Sequence, residues 1–240
     1  MAEGASSSST ADAVVRILLV GRKGSGKSSV RNKILGENKF IRQECELSEG
    51  QTQIRDRRVH VLDCPVVLDP DVDKEKLQEQ QLSACSAGLS SVLLVVPLVK
   101  KLENEEEMLE FIKHLFGPEV HKYIMILFTH EDEDEARVSQ LLQQKVNVDL
   151  QQLLTECGRR YHCINNKRRS EEQRIHLLEK IEGLEVENGG KLIRRRRASK
   201  SSFVDFYSST KVCFSRDRTG GHRLQMALRV IVWFVSDYET

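Results

Sequence analysis

The sequence predicts an α/β fold, a mostly parallel central sheet with helices on both faces, followed by a poorly defined C-terminal extension. Three observations predict it. Apolar runs alternate with amphipathic stretches along residues 14–187, the pattern of strands crossed over by helices. Two of the runs, 91–97 and 123–129, are almost continuously apolar, as strands buried on both faces should be. Between the first run and the first helix lies a glycine-rich loop, Gly21-Arg-Lys-Gly-Ser-Gly-Lys-Ser-Ser29.

The elements follow in order. Strands are expected at 14–20, 58–63, 91–97, 123–129 and 161–165, with 54–58 contributing to an edge strand. Helices are expected at 26–35, 73–87, 104–115, 136–144, 149–157 and 170–187. Ser170 with Gln173 three residues later reads as a capping box, and Asn188-Gly189-Gly190 as the stop.

The loop fits the spacing Gly, four residues, Gly-Lys-Ser. Each position has a task around a phosphate chain. Gly21, Gly24 and Gly26 let the main chain curl and approach a ligand closely. The amides of the following helix N-terminus point into the loop, where the helix dipole favours negative charge. Lys27 would reach the β- and γ-phosphates, the Ser28 hydroxyl would coordinate Mg²⁺, and Ser29 would sit near the α-phosphate. Lys23 and Ser25 complete the set of loop residues assigned to the nucleotide. The plain alternative is a Gly/Ser-rich surface turn, but the loop lies between strand and helix as the motif requires.

Ligands on such sheets bind at the carboxyl ends of the strands. Polar signatures fall there. Asp63 ends the strand 58–63, where a carboxylate facing a phosphate loop binds Mg²⁺, usually through water; its alternative is an acidic turn residue. Thr129-His130-Glu131-Asp132 ends a central strand. There Asp132 would accept two hydrogen bonds from guanine N1–H and N2–H₂, each worth roughly 1.5–3 kcal/mol, a pair that adenine does not offer. Residues 131–135 read otherwise as a solvated acidic loop. Asn165, at the end of 161–165, would hold the guanine O6 or cover the base edge, although Asn-Asn after a strand is also an ordinary turn.

A chain of 240 residues accommodates one nucleotide-binding domain and an extension. Hydrophobic residues make up 39% and charged residues 30%, which suits a soluble globular protein. A formal net charge of +1 gives no ground for a nucleic-acid partner. The six cysteines show no metal-ligand or paired spacing, as expected of reduced thiols in the cytosol. Residues 1–12 read as a disordered tail without a signal peptide or a myristoyl signal. The apolar stretch 226–235 is too short to span a bilayer.

With these elements in order, the chain resembles the immunity-associated GTPases (the IMAP family), relatives of septins and of chloroplast outer-envelope import GTPases. The residues that carry the resemblance are those of the loop from Gly21 to Ser29, Val61-Leu-Asp-Cys-Pro65, Leu94-Val-Val-Pro97, Phe116-Gly117, Ile126-Leu-Phe-Thr-His130 and Arg160-Tyr-His-Cys-Ile-Asn-Asn166. It covers about residues 13–188. It implies a P-loop G domain over 13–190, with guanine nucleotide (GTP/GDP) and Mg²⁺ as ligands. It also implies homo- or hetero-oligomers formed through the G domain, often on the cytosolic face of organelle membranes in immune-cell settings. Thr129, His130 and Asp132 match its base signature.

Two departures bear on chemistry. Many members read Asp-Thr-Pro-Gly where this chain reads Asp63-Cys64-Pro65-Val66, and Val66 is β-branched and tolerates positive φ poorly. The loop 40–45, where switch proteins place a Thr over Mg²⁺, contains neither Thr or Ser. Hydrolysis is therefore expected to be weak or slow, and two rivals stay open: a non-catalytic nucleotide-binding scaffold, and an adenine-specific P-loop kinase or ATPase. Within 191–240, Arg194, Arg195, Arg196 and Arg197 read as a solvated basic linker, an acidic-lipid contact or a nuclear import tract.

Overall fold

The computed structural model describes residues 14–37, 47–64, 84–98, 100–103, 105–130, 140, 148–167 and 170–194. The chain divides into two units, Met1–Arg196 and Arg197–Thr240, and every described residue belongs to the first. Expectations at 1–13, 38–46, 65–83, 131–139, 141–147 and 195–240 lie outside the described residues. They include Val66, Asp132, Arg195–Arg197 and the helices at 73–87 and 136–144 in all but a few positions.

Six strands form one sheet in the order β2-β3-β1-β4-β5-β6. They are β1 (Val15–Val20), β2 (Ser48–Ile54), β3 (Arg57–Asp63), β4 (Ser91–Pro97), β5 (Ile124–His130) and β6 (Tyr161–Asn165). All neighbouring pairs are parallel except β2 with β3. The described helices are α1 (Lys27–Leu35), α2 (Glu105–Phe116), α3 (Val148–Glu156) and α4 (Glu171–Glu187), with a 3₁₀ turn at Pro118–Lys122.

The two apolar runs are indeed central. Every residue of β4 and β5 is buried, because helices cover both faces. One face packs Ile17, Leu19, Leu93, Val95, Met125 and Leu127 against Val30 and Ile34 of α1 and Leu177, Leu178, Ile181 and Leu184 of α4. The period of two sends Leu18, Leu94, Ile126 and Phe128 to the other face. α2 and α3 bring their buried Phe111, Ile112, Leu150 and Leu153, and Lys113 of α2 is paired with Glu156 of α3 at 2.9 Å.

Two expectations are corrected. The edge strand is Ser48–Ile54, not 54–58; Arg55 and Asp56 are the turn of a hairpin, with Arg55 at φ 54°. Along β2 residues alternate between half-buried and exposed, which suits an edge strand whose composition is polar. Ser170 precedes α4 with an extended backbone but makes no side-chain capping bond; Gln173 Oε1 instead accepts the Asn165 N–H at 2.8 Å. The stop behaves as expected: Gly190 N–H bonds the Glu185 carbonyl and Gly189 N–H that of Val186, with both glycines left-handed. Beyond it the chain returns to the start of β4, where Leu89 and Ile193 exchange N–H···O bonds of 2.8 and 3.0 Å.

Arg55 and Arg57 clamp the hairpin to α4. Arg55 pairs with Glu179 at 3.0 Å, and Arg57 with Glu182 and Glu185 at 3.0 and 2.9 Å. Thr52 lies in β2, where its Oγ1 accepts from Arg174 at 3.3 Å.

Candidate functional site

Gly21, Asp63, Thr129, His130 and Asn165 all stand at carboxyl ends of strands, so parallel register alone gathers them at one end of the sheet. Leu19 is level with Asp63 across β1 and β3, and His130 is level with Asn165 across β5 and β6.

The loop leaves β1 at Gly21 and enters α1 at Lys27. Ser25 N–H bonds the Arg22 carbonyl at 3.1 Å, and Val30 N–H bonds that of Gly26 at 2.9 Å. Gly26 has φ +93°, and a Cβ there would stand 2.8 Å from Asn166 Nδ2 and 3.3 Å from Thr129 Cγ2. Neither the conformation nor the space admits a side chain. Lys27 Nζ donates to the Gly21 carbonyl at 2.8 Å, which folds the ammonium across the loop. Lys23, Ser28 and Ser29 are exposed, while Ser25 is buried. The Thr129 hydroxyl donates to the Ser25 carbonyl at 2.8 Å, a buried bond that fastens the loop to the end of β5.

Asp63 is the most informative polar group here. Its Oδ1 is buried and has no hydrogen-bond partner. Burial raises its carboxyl above the ordinary range, while Lys27 and Arg31 pull it down. An oxygen kept from water and left without a donor suits a cation ligand better than a structural turn. Without such a cation it is a burden. Asp63→Asn, which keeps the shape and removes the desolvated charge, is therefore expected to stabilise the ligand-free protein by about 1 kcal/mol in thermal unfolding with chelator present.

At the end of β6, Asn165 is occupied locally. Its Oδ1 takes the Lys167 N–H at 2.9 Å, and its carbonyl takes Lys33 Nζ at 2.5 Å. Asn166 is the residue that sequence reasoning passed over. Its N–H bonds the His130 carbonyl at 2.8 Å, its Nδ2 lies against Gly26, and its Oδ1 is buried without a partner. The Asn-Asn pair was the signal, but choosing between the two needed the fold. Asp132 lies outside the described residues.

The model of the AIG1 family matches residues 15–205. The chain belongs to the AIG1 family.

Relatives agree with that membership. GTPase IMAP family member 8 of Homo sapiens is 30% identical over 204 residues, covering 80% of the AIG1 chain and 30% of its own length. Immune-associated nucleotide-binding protein 5 of Arabidopsis thaliana is 30% identical over 198 residues, covering 77% of this chain and 65% of its own. The chain thus spans less than two thirds of the length of these curated relatives. Among solved structures, Toc33 from Arabidopsis thaliana in complex with GDP and Mg²⁺ shares the fold at TM-score 0.55 and 16% identity, over 76% of this chain and 88% of that one. Era from Aquifex aeolicus bound to GDP and AlF₄⁻ does so at TM-score 0.51 and 16% identity, over 70% and 56%. The fold is that of a P-loop G domain. Among the described residues no helix is long and apolar enough to cross a membrane.

Proposed function

We propose that this AIG1-family chain binds GTP and GDP with Mg²⁺ through residues 13–190, and that 191–240 form a basic linker and extension. The observation that carries the reading is the Asp63 carboxylate, buried with one oxygen unmet and within the field of Lys27. Ser28 and Asp63 would hold Mg²⁺, which would draw charge off the phosphates. Main-chain amides from Gly24 to Ser28, with Lys27, would cradle the phosphates, and Ser29 would face the α-phosphate. Lys23 and Ser25 form the rim, and Thr129 keeps it in place. Asp132 would read the guanine, with His130, Asn165 and Asn166 lining the base side. The relatives named as GTPases and the G-domain neighbours solved with GDP support this assignment.

Titration calorimetry and identification of the nucleotide carried by purified protein test it. Wild type should bind GDP and GTP and prefer them to ATP. Asp132→Asn should lower GTP affinity about tenfold to a hundredfold, the value of one charge-assisted hydrogen bond, while changing ATP little. Equal competition by ATP, untouched by Asp132→Asn, would favour an adenine enzyme instead.

A second reading is a non-catalytic scaffold. Arg55 and Arg57 pair with α4 acids and so favour a structural role. Val66 occupies the sequence position at which many members of the resembled family carry glycine. Slow hydrolysis with nucleotide-dependent self-assembly through the G domain fits both features, and Toc33 is a precedent for a dimerising relative in fold. Single-turnover cleavage at ordinary G-protein rates would exclude the inert form. Placement in the cytoplasm, with Arg194, Arg195, Arg196 and Arg197 touching acidic lipid, completes the proposal.

A further inference from the structure

The phosphate loop is held from a second side, by the start of α2. Arg22 follows Gly21 directly. Its Nε donates to Glu105 Oε1 at 2.9 Å, one Nη to Glu103 Oε2 at 2.5 Å, and the other Nη to the Lys101 carbonyl at 3.2 Å. The second Glu105 oxygen takes the Glu103 N–H at 2.7 Å. The Glu105 side chain has 0% exposure and that of Arg22 12%, whereas Glu103 is open at 61%.

These numbers separate the two acids. A fully buried carboxylate is tolerated only when it is paired and hydrogen-bonded, and Glu105 is both. It also opens α2, where the helix dipole favours an acid. The exposed Glu103 pair is of the kind that contributes little. Glu105 therefore fixes the Arg22 side chain, and the Arg22 carbonyl is the acceptor that shapes the loop through Ser25 N–H. It also binds the Arg22 cation on the α2 side of the loop, whereas Lys27 lies across the loop itself.

We propose that Glu105 is a positioning residue for the phosphate loop, acting through Arg22 to set the main-chain curl that receives phosphate. The inference rests on the nucleotide reading above and adds a regulatory consequence. Because the start of α2 and the loop share the Arg22–Glu105 ion pair, ligand in the loop and contact at that helix start influence each other reciprocally.

The test uses the full chain and three variants: Glu105→Gln, Arg22→Gln and their combination, with Glu103→Gln as comparison. GDP affinity is read by calorimetry, and exchange of the Ser25 amide in nucleotide-free protein by hydrogen–deuterium methods. Glu105→Gln should weaken GDP about tenfold and speed Ser25 exchange. The double variant should be no worse than the worse single one, because both act on one pair. Glu103→Gln should change affinity less than about twofold. Unchanged Ser25 exchange in Glu105→Gln, or losses that add in the double variant, would overturn the inference. If Glu105→Gln does not fold, Arg22→Gln carries the same two readings. Wild-type protein that binds no guanine nucleotide would remove the nucleotide reading, and Ser25 exchange would still decide the role of Glu105.

Discussion

Lys27→Ala should lower GTP and GDP affinity by at least about a hundredfold in titration calorimetry, with the fold retained. The Lys27 ammonium lies across the loop, donating to the Gly21 carbonyl at 2.8 Å. Phosphate oxygens would replace that neutral acceptor with charged ones, and each charge-assisted bond contributes roughly 1.5–3 kcal/mol. Two such bonds amount to at least about a hundredfold. Alanine keeps the helical start of α1 intact, because Gly26 and not residue 27 supplies the left-handed turn. Unchanged GTP affinity in Lys27→Ala would refute the phosphate assignment. Lost affinity together with a lost thermal transition would mean damage to folding, which circular dichroism at matched temperature would expose.

Acidification should destabilise the protein steeply between pH 6.5 and about pH 4, and His162 should account for a distinct share. His162 sits on the edge strand β6, half-buried, with Nε2 buried and lacking a partner. Burial, then Lys180 and His176 of α4, lower its pKa from 6.5 to about 4. The folded protein thus disfavours the imidazolium that the unfolded chain accepts freely. A depressed folded value means the contribution is fully present above 6.5 and is lost as pH falls through 4. A shift of this size corresponds to about 3 kcal/mol across that window. Urea unfolding at pH 7.5 and pH 4.5 should show it, and His162→Phe should flatten the difference. Identical pH slopes in wild type and variant would assign the acid sensitivity to the carboxylates instead.

The sequence made central elements visible and left edge and long-range features hidden, for physical reasons. β4 and β5 are buried on both faces, so they can be written only in apolar residues, and their bounds were readable to within a residue. β2 is written as Ser-Glu-Gly-Gln-Thr-Gln-Ile, with one side open to water, and it carries almost no hydrophobic signal. Its partner β3 supplies the register, which a local reading does not contain. The loop was legible because its spacing is local. That Thr129 holds its Ser25 carbonyl, and Glu105 its Arg22, depends on residues 104 and 83 positions apart. Gln173 shows the same limit: its spacing from Ser170 suits a cap, yet the side chain serves Asn165 across the β6–α4 turn. Asn165 and Asn166 are chemically alike, and only the backbone direction at the end of β6 decides which amide lies against Gly26.

The short return at Leu89 and Ile193 has a mechanical corollary. Ile193 rejoins the sheet just ahead of β4, while Gly21 and Asp63 lie where strands finish. Arg194 therefore lies at the pole remote from the phosphate loop. Tension on the main chain there would load the two Leu89–Ile193 bonds first, away from Gly21 and Asp63.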